Sequence, residues 1–322
     1  MTRAAIVVSA YNTLSTLPET VESLLAQTFD DFEVVIVDDG SSDGTAKWVL
    51  SHPDPRLRLV RQVNRGLSGA RNGGIAATTS EYVGFCDGDD LWEPEKLAEH
   101  VAFLDANPDV GLTYSGSALI DAESNPIGLY QTPKADDVSA RDVLLRNPVG
   151  NGSAPVIRRA CLNEILFRRD GETRDFWFDE SFRQSEDIEC WLRIALTTNW
   201  RIAGTSEPLT RYRIIASGLS ANLIKQFETW SRVMDRITEI APDFAQANVP
   251  AARAYQLRYL ARRAITLGSG ITALSLMLKS FGSSRHPVVH EPIKTFMTLG
   301  AALTLSLGGA ALVRRALGGR LA

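Results

Sequence analysis

Three carboxylates, Asp87, Asp89 and Asp90, fall within four positions directly after an apolar run, Tyr82-Val83-Gly84-Phe85-Cys86, that reads as a buried strand. Carboxylates this close repel one another unless a cation or hydrogen-bond donors offset their charge. Oxygen ligands at a strand end suit a hard divalent ion such as Mg2+ or Mn2+, which commonly bridges protein to a diphosphate. The alternative is a polar turn before the helix that Pro94 is expected to begin, and Asp90 is assigned to capping that helix. A second acidic cluster, Asp38-Asp39-Gly40, closes a β-branched run. Asp39 could accept hydrogen bonds from a uracil or guanine N–H, with Tyr11 as an aromatic wall and Asp38 nearer a ribose, or the three residues could form an ordinary turn. A third, Glu186-Asp187, lies in the first turn of a predicted helix carrying Ile188, Trp191, Leu192 and Ala195, where acids also complement the helix dipole.

Elements must bring these clusters together. The first 115 residues alternate β-branched runs with helical patterns, which predicts βαβ units and a parallel sheet. Strands are expected over residues 4–9, 33–37, 57–60 and 82–85. One helix starts at Thr16, with Pro18, Glu19 and an apolar face of Leu17, Val21, Leu24 and Leu25; another contains Ala46, Val49 and Leu50. Parallel strands place ligands at their carboxyl ends, so Tyr11, Asp39 and Asp87–Asp90 can share one crevice. A stretch punctuated by Gly66, Gly69, Gly73 and Gly74 is expected to lead into a further helix; its spacing does not match Gly-x-Gly-x-x-Gly, which disfavours a dinucleotide cofactor. Residues Asn147 to Gly152 read as a loop beside the site, suited to binding an acceptor.

The chain has 322 residues, 44% of them hydrophobic, enough for one large domain and an appendage. Its formal charge of −4 conceals a division: residues 251–322 hold ten Lys or Arg and one acid, a net +9, leaving −13 for the first 250. The catalytic domain is assigned to residues 1–225, in halves of 1–115 and 116–225, and a helical extension to 226–322. The charge change near Gln246 to Pro250 is read as a domain boundary. Three cysteines without metal-ligand spacing suit a reducing cytosol, and Ala5 to Ala10 is too short for a leader's apolar region. His286 and His290 are four apart, but Pro287 argues against one helix presenting both to a metal; His52 and His100 lack any supporting constellation. Residues 251–267 have the look of a basic amphipathic helix, which would lie on an anionic membrane surface or pack on the catalytic domain. Phe296 to Val313 is uncharged over 18 residues. At ~1.5 Å per residue that run reaches about 27 Å, just short of a ~30 Å hydrocarbon core, and its glycines and threonines favour in-plane insertion or packing over spanning. The expected location is cytoplasmic and peripheral, at the cytoplasmic face of the inner membrane.

Taken together and in order, Ser9-Ala10-Tyr11-Asn12, the run from Val34 to Thr45, the stretch Asn64 to Gly74, Asp87-Gly88-Asp89 and Ser185-Glu186-Asp187 resemble the family-2 glycosyltransferases over roughly residues 4 to 215. The resemblance implies an α/β GT-A fold, a Rossmann-like, mostly parallel sheet flanked by helices, followed here by the helical extension. It implies an inverting enzyme that uses a nucleotide-diphospho-sugar, UDP-linked by preference, with Mn2+ or Mg2+. It assigns Asp89 to the metal and Asp87 to metal or ribose, with Gly88 permitting close backbone approach. Asp187 becomes the base that takes the acceptor hydroxyl's proton, oriented by Glu186. Ala10, Tyr11, Asn12, Asp38, Asp39 and Asn64 go to the donor pocket, and Arg71 either to the nucleotide or to a structural ion pair. Arg211 and Arg213, around Tyr212 and before Ser217-Gly218-Leu219-Ser220, go to a segment closing over the diphosphate. Trp191 is assigned to the core rather than to a sugar platform. The Gln-x-x-Arg-Trp motif of processive members is absent, which favours addition of a single sugar, in envelope polysaccharide or glycolipid synthesis, to a saccharide or lipid-linked hydroxyl. The competitors are a sugar-1-phosphate nucleotidyltransferase and a non-catalytic nucleotide-sugar-binding protein. No nucleic-acid partner is implied, and neither the sugar nor the oligomeric state is specified.

Overall fold

Strands buried on both faces read as continuous apolar runs, and the first of them, Ala-Ala-Ile-Val-Val-Ser-Ala, is buried at every position. In a computed structural model of the protein, which describes residues 2–215 and 223–309, the chain divides into two compact units, residues 1–218 and 219–322. The first unit begins with β1 (Ala4–Ala10), α1 (Leu17–Leu25), β2 (Phe32–Asp38), α2 (Thr45–Ser51), β3 (Leu57–Arg61), α3 (Gly66–Ala77) and β4 (Tyr82–Asp87). β1 pairs in parallel with β2 and with β4, and β2 with β3. The register sets Ser9 beside both Val37 and Asp87, and Ala10 beside Asp38. Tyr11, Asp39 and Gly88 therefore leave the sheet side by side.

The chain continues through β5 (Leu91–Trp92), α4 (Lys96–Ala106), β6 (Val110–Tyr114), β7 (Ser117–Ile120), β8 (Pro126–Gln131), α5 (Ala140–Arg146) and β9 (Pro155–Arg158), then α6 (Arg159–Ile165), α7 (Glu186–Thr197), β10 (Arg201–Gly204) and β11 (Thr210–Arg213). The main sheet runs β10-β6-β9-β4-β1-β2-β3, with β9 antiparallel to both neighbours. A second sheet, β5-β11-β7-β8, carries the end of β11 toward the acidic loop after β4. Lys96 pins the two sheets: its buried ammonium donates to Ser115 Oγ (2.9 Å), the Ala154 carbonyl (2.8 Å) and Thr210 Oγ1 (2.8 Å), over the ring of Trp92. Burial pushes this lysine down to about 7.

Several expectations change. The predicted strands each run one or two residues longer. The glycines from Gly66 to Gly74 lie inside α3 rather than before it; Gly74 meets the Val7 side chain, so only a residue without Cβ lets the helix lie this close to β1. Pro94 does not begin a helix: α4 starts at Lys96 behind Glu95, so Asp90 cannot be its cap.

The second unit comprises α8 (Leu223–Ile240), α9 (Pro242–Thr266), α10 (Gly270–Ser283), α11 (His286–His290) and α12 (Pro292–Ser306). The charge change at Gln246 to Pro250 falls inside α9, which continues through Pro250, and marks no structural boundary. Leu257, Leu260, Ala261, Ala264 and Ile265 of α9 are buried, so the basic helix has no apolar face left for a membrane. Its Arg258 is buried too, donating to Thr295 Oγ1 at 2.7 Å and pairing with Glu291. Pro287 does not break α11, because it stands in the first turn, where a proline N–H is not needed. His286 and His290 stack at 3.7 Å. No described helix is long and apolar enough to cross a membrane; positions 310–313 of the uncharged run and Ser217 to Ser220 lie outside the described residues.

Candidate active site

The turn after β1 clamps the loop after β2. Asn12, with φ of +53°, donates its N–H to Ser41 Oγ (2.9 Å), and its Oδ1 accepts from the Ser42 N–H (2.8 Å). Asp38 is fully buried and accepts from the Ser41 N–H (2.9 Å) and Arg61 Nε (3.4 Å). Ala10 accepts the Asp39 N–H (2.9 Å). Asp39 uses both carboxylate oxygens on the start of α3: Gln62 Nε2 at 2.7 Å, the Arg65 N–H at 2.9 and 3.1 Å, and the Gly66 N–H at 2.7 Å. Its carboxyl is held above the usual range by burial, against those hydrogen bonds. Tyr11 is 53% exposed and Asn64 stands exposed at the rim. The Arg183 guanidinium lies against Gly66, its charge reaching Asp39.

The acidic loop is held from the far side by groups that arrive much later in the chain. Ser153 Oγ accepts the Asp87 N–H (2.9 Å) and donates to Asp90 Oδ2 (2.5 Å). The other Asp90 oxygen accepts the Arg213 N–H (2.8 Å), and Arg213 Nε donates to the Asp89 carbonyl (2.6 Å). Gly88 donates to the Ser9 carbonyl (3.0 Å), and a Cβ there would stand 2.9 Å from Thr13 Oγ1. Burial, with the charges of Asp89 and Asp87, pushes Asp90 well up; burial and then Asp87 push Asp89 to about 6, opposed by Arg213. Asp87 and Asp89 offer hard oxygen donors whose mutual repulsion a divalent ion would relieve, so they fit Mg2+ or Mn2+. Among the described residues no three His, Cys, Asp or Glu side chains close a metal site by themselves. Further ligands would have to come from elsewhere, and a diphosphate supplies oxygens of the right kind.

Arg71, on α3, joins this loop to the third acidic cluster. Its guanidinium is buried, with Nη1 2.8 Å from Glu186 Oε1 and Nη2 3.2 Å from Asp87 Oδ1, above the ring of Phe178. Any Cβ on Gly152 would collide with it. The next residue, Asn72, ties the segment before α7 to α3: its Oδ1 accepts from the Trp177 (3.0 Å) and Phe178 (2.9 Å) N–H groups and its Nδ2 donates to the Phe178 carbonyl (2.8 Å). Phe178 then packs edge-on against Phe85 and Trp191, which is buried. Ser185, left-handed at φ of +59°, opens α7 and aims its first two side chains, a strain of a kind that clusters at functional sites. Glu186 is buried and pushed up to about 7 by burial first, Arg71 opposing and Asp187 adding. Asp187 is part-exposed, held above the usual carboxylate range by burial, with Arg71 opposing. Its Oδ1 accepts the Ile188 N–H (2.8 Å), and Oδ2 has no hydrogen-bond partner among the described residues.

Arg71 thus stands in direct contact with both Asp87 and Glu186, with Asp187 next to Glu186 in the chain and Asp89 two residues beyond Asp87. The two arginines assigned to a diphosphate clamp are engaged elsewhere. Arg211 makes a two-pronged pair with Glu93 (2.6 and 3.0 Å). Arg213 is fully occupied by the Asp89, Asp121 and Ala122 carbonyls, Ser124 and Glu19. In this arrangement they brace the acidic loop and its surroundings. The sequence singles out neither Ser153 nor Arg183, and it includes Gly152 and Asn72 only as members of the Asn147–Gly152 loop and the Asn64–Gly74 stretch. Asn72 carries a signal, since it adjoins Arg71; the contacts of Ser153 and Gly152 with Asp87, Asp90 and Arg71 are not implied by the loop's own residues.

Residues 5–153 match the family model described as Glycosyl transferase family 2. The Escherichia coli UDP-Glc:alpha-D-GlcNAc-diphosphoundecaprenol beta-1,3-glucosyltransferase WfgD is 26% identical over 254 residues, 79% of this chain and 90% of that protein. Staphylococcus aureus TarS 1–349, solved with UDP-GlcNAc, superposes with a TM-score of 0.62 at 19% identity, over 95% of this chain and 92% of that one. The mannosyltransferase PcManGT from Pyrobaculum calidifontis, solved with GDP-Man and Mn2+, gives 0.58 at 20% identity, over 96% and 87%. These structural likenesses establish the GT-A-type fold.

Proposed function

We propose, from the premise that this chain is a family-2 glycosyltransferase, that Asp187 and the Asp87–Asp89 pair divide the reaction between them in one site. The enzyme moves one sugar from a nucleotide-diphospho-sugar to a hydroxyl. The nucleotidyltransferase and binding-only alternatives are set aside, because the relatives are glycosyltransferases. What carries the division of roles is the Arg71 guanidinium, which touches Asp87 with one nitrogen and Glu186 with the other.

Asp39, Tyr11 and Asn64 surround the place for the base and Asp87 the place for the ribose, while Asp38, fully buried, shapes that place from behind through the Ser41 turn. Arg183, exposed beside Gly66, is a cation suited to the nucleotide in place of Arg211 and Arg213. Asp89 and Asp87 would hold Mn2+ or Mg2+, which when bound offsets charge on the departing diphosphate as a Lewis acid. Asp187 accepts the acceptor hydroxyl's proton as that oxygen bonds to the anomeric carbon and the bond to the diphosphate breaks, inverting the centre. Glu186, locked on Arg71, orients Asp187 and holds negative charge beside it. The acceptor is a lipid-linked sugar and the donor UDP-linked, readings supported by the WfgD relationship, and the enzyme works at the cytoplasmic face of the membrane that carries such lipids.

Thermal-shift screening of UDP-, GDP- and dTDP-sugars with Mn2+ tests the donor assignment. Stabilisation by UDP-sugars that chelation reverses is the expected result; no response to any nucleotide sugar, or release of pyrophosphate in place of nucleoside diphosphate during turnover, contradicts it.

A further inference from the structure

Two helices of the second unit pack some of their large apolar side chains on the core, Met277 and Leu274 of α10 and Leu299 and Leu305 of α12, but carry a further set on the outside. In α12 the buried positions are Thr295, Thr298 and Ala302, whereas Ile293, Phe296, Met297 and Leu303, with Leu307 at its C-cap, are 75, 56, 68, 43 and 87% exposed. Their spacing places these five on one side of the helix, opposite the threonines. α10 buries Gly270, Ala273, Met277 and Ser280, packs Leu274 and Leu276 against the same core, and leaves Ile271 and Leu278 78 and 61% exposed. A helix face turned to water is polar; stripes of large apolar residues require an apolar phase or a partner. Bases flank both stripes: Lys279 follows Leu278 and Lys294 follows Ile293, both exposed. The one acid among residues 251–322, Glu291, is paired with Arg258 and lies 3.8 Å from Lys294.

We propose that these faces of α10 and α12 lie in the interface of an anionic phospholipid membrane, with the apolar stripes among acyl chains and the lysines at the phosphates. Long basic side chains suit that depth, since their stems stay in apolar surroundings and their charges reach the headgroups. A second copy of this chain is a poorer occupant, because a two-fold contact sets a patch against itself and would bring Lys279 and Lys294 toward their own copies with no acid opposite them. The proposal deepens the lipid-linked acceptor reading and takes its biological sense from it, but the test needs no turnover.

The full chain is sedimented with phosphatidylcholine vesicles with and without phosphatidylglycerol. Binding is expected to need phosphatidylglycerol. The Phe296→Glu/Met297→Glu variant should lose binding at least ~10-fold, and Lys279→Gln/Lys294→Gln by about fivefold per lysine. Donor hydrolysis with Mn2+, measured without vesicles, should be unchanged in both, which checks that each is folded. Indifference of the wild type to anionic vesicles overturns the proposal, as does undiminished binding by both variants. A wild-type dimer in solution that Phe296→Glu/Met297→Glu dissociates would overturn it in favour of a second copy. Failure of these tests with hydrolysis intact leaves the transferase reading standing; loss of hydrolysis in the wild type would count against that reading instead.

Discussion

A buried guanidinium between two carboxylates cannot be removed without leaving charge stranded. Arg71→Met would strand Glu186, and removing one partner of a buried ion pair costs about 3–5 kcal/mol. The denaturation midpoint should fall accordingly, and a change under ~1 kcal/mol would show the contact to be energetically idle. Glu186 titrates where it can be seen. Its folded value, about 7, lies above its ordinary value of 4.5, so the folded state binds its proton first. Its ionisation therefore costs stability above pH 7, a cost that disappears as pH falls toward 4.5. In the proposed mechanism catalysis runs the other way, because there Asp187 accepts a proton next to an ionised Glu186. The acid limb of kcat/KM is expected near neutrality, and Glu186→Gln should move it downward; an unmoved limb would detach Glu186 from the base. The three acidic clusters were legible because residue type and close spacing alone imply crowded charge. The engagement of Arg211 and Arg213 was not, since Glu93, Glu19 and the loop carbonyls come to them only through the second sheet.

At the scale of elements, the site depends on β9 entering antiparallel between β4 and β6. That strand brings Gly152 and Ser153 beside Asp87. Ser153→Ala removes the acceptor for the Asp87 N–H and the donor to Asp90, both buried or nearly so. A loss of about 1–3 kcal/mol follows from leaving such groups unpaired, with weaker Mn2+-dependent nucleotide binding. Ser153→Thr, which keeps the hydroxyl, should recover part of the binding. Equal nucleotide affinity in Ser153→Ala would show that the loop holds its shape unaided. The parallel strands could be read from their β-branched runs. The strands β5, β9 and β11, of two to four residues, are too short to show a period, so the second sheet and the brace it provides were invisible. The Gly66–Gly74 stretch reads from the sequence as a lead into a helix, because glycine is locally a breaker, whereas Gly74 serves close packing of α3 on Val7.

Across the whole molecule, charge is segregated along the chain, with a net +9 in residues 251–322. Composition made that legible. It could not say which faces the helices cover, and the amphipathic pattern of α9 pointed to the wrong surface: its leucines close the core, while α10 and α12 leave Ile271, Leu278, Ile293, Phe296 and Met297 outside it. The first unit joins residues far apart in the chain, Asp87 with Glu186 through Arg71, and the proposed mechanism sets departure of the nucleotide and activation of the acceptor in that one place. The two functions should still separate by mutation. Asp187→Asn keeps shape and removes only the proton acceptor. In that variant, calorimetric titration with UDP and Mn2+ should give wild-type affinity while transfer falls by about 10²- to 10⁴-fold; near-normal turnover, or loss of nucleotide binding together with transfer, would contradict the account.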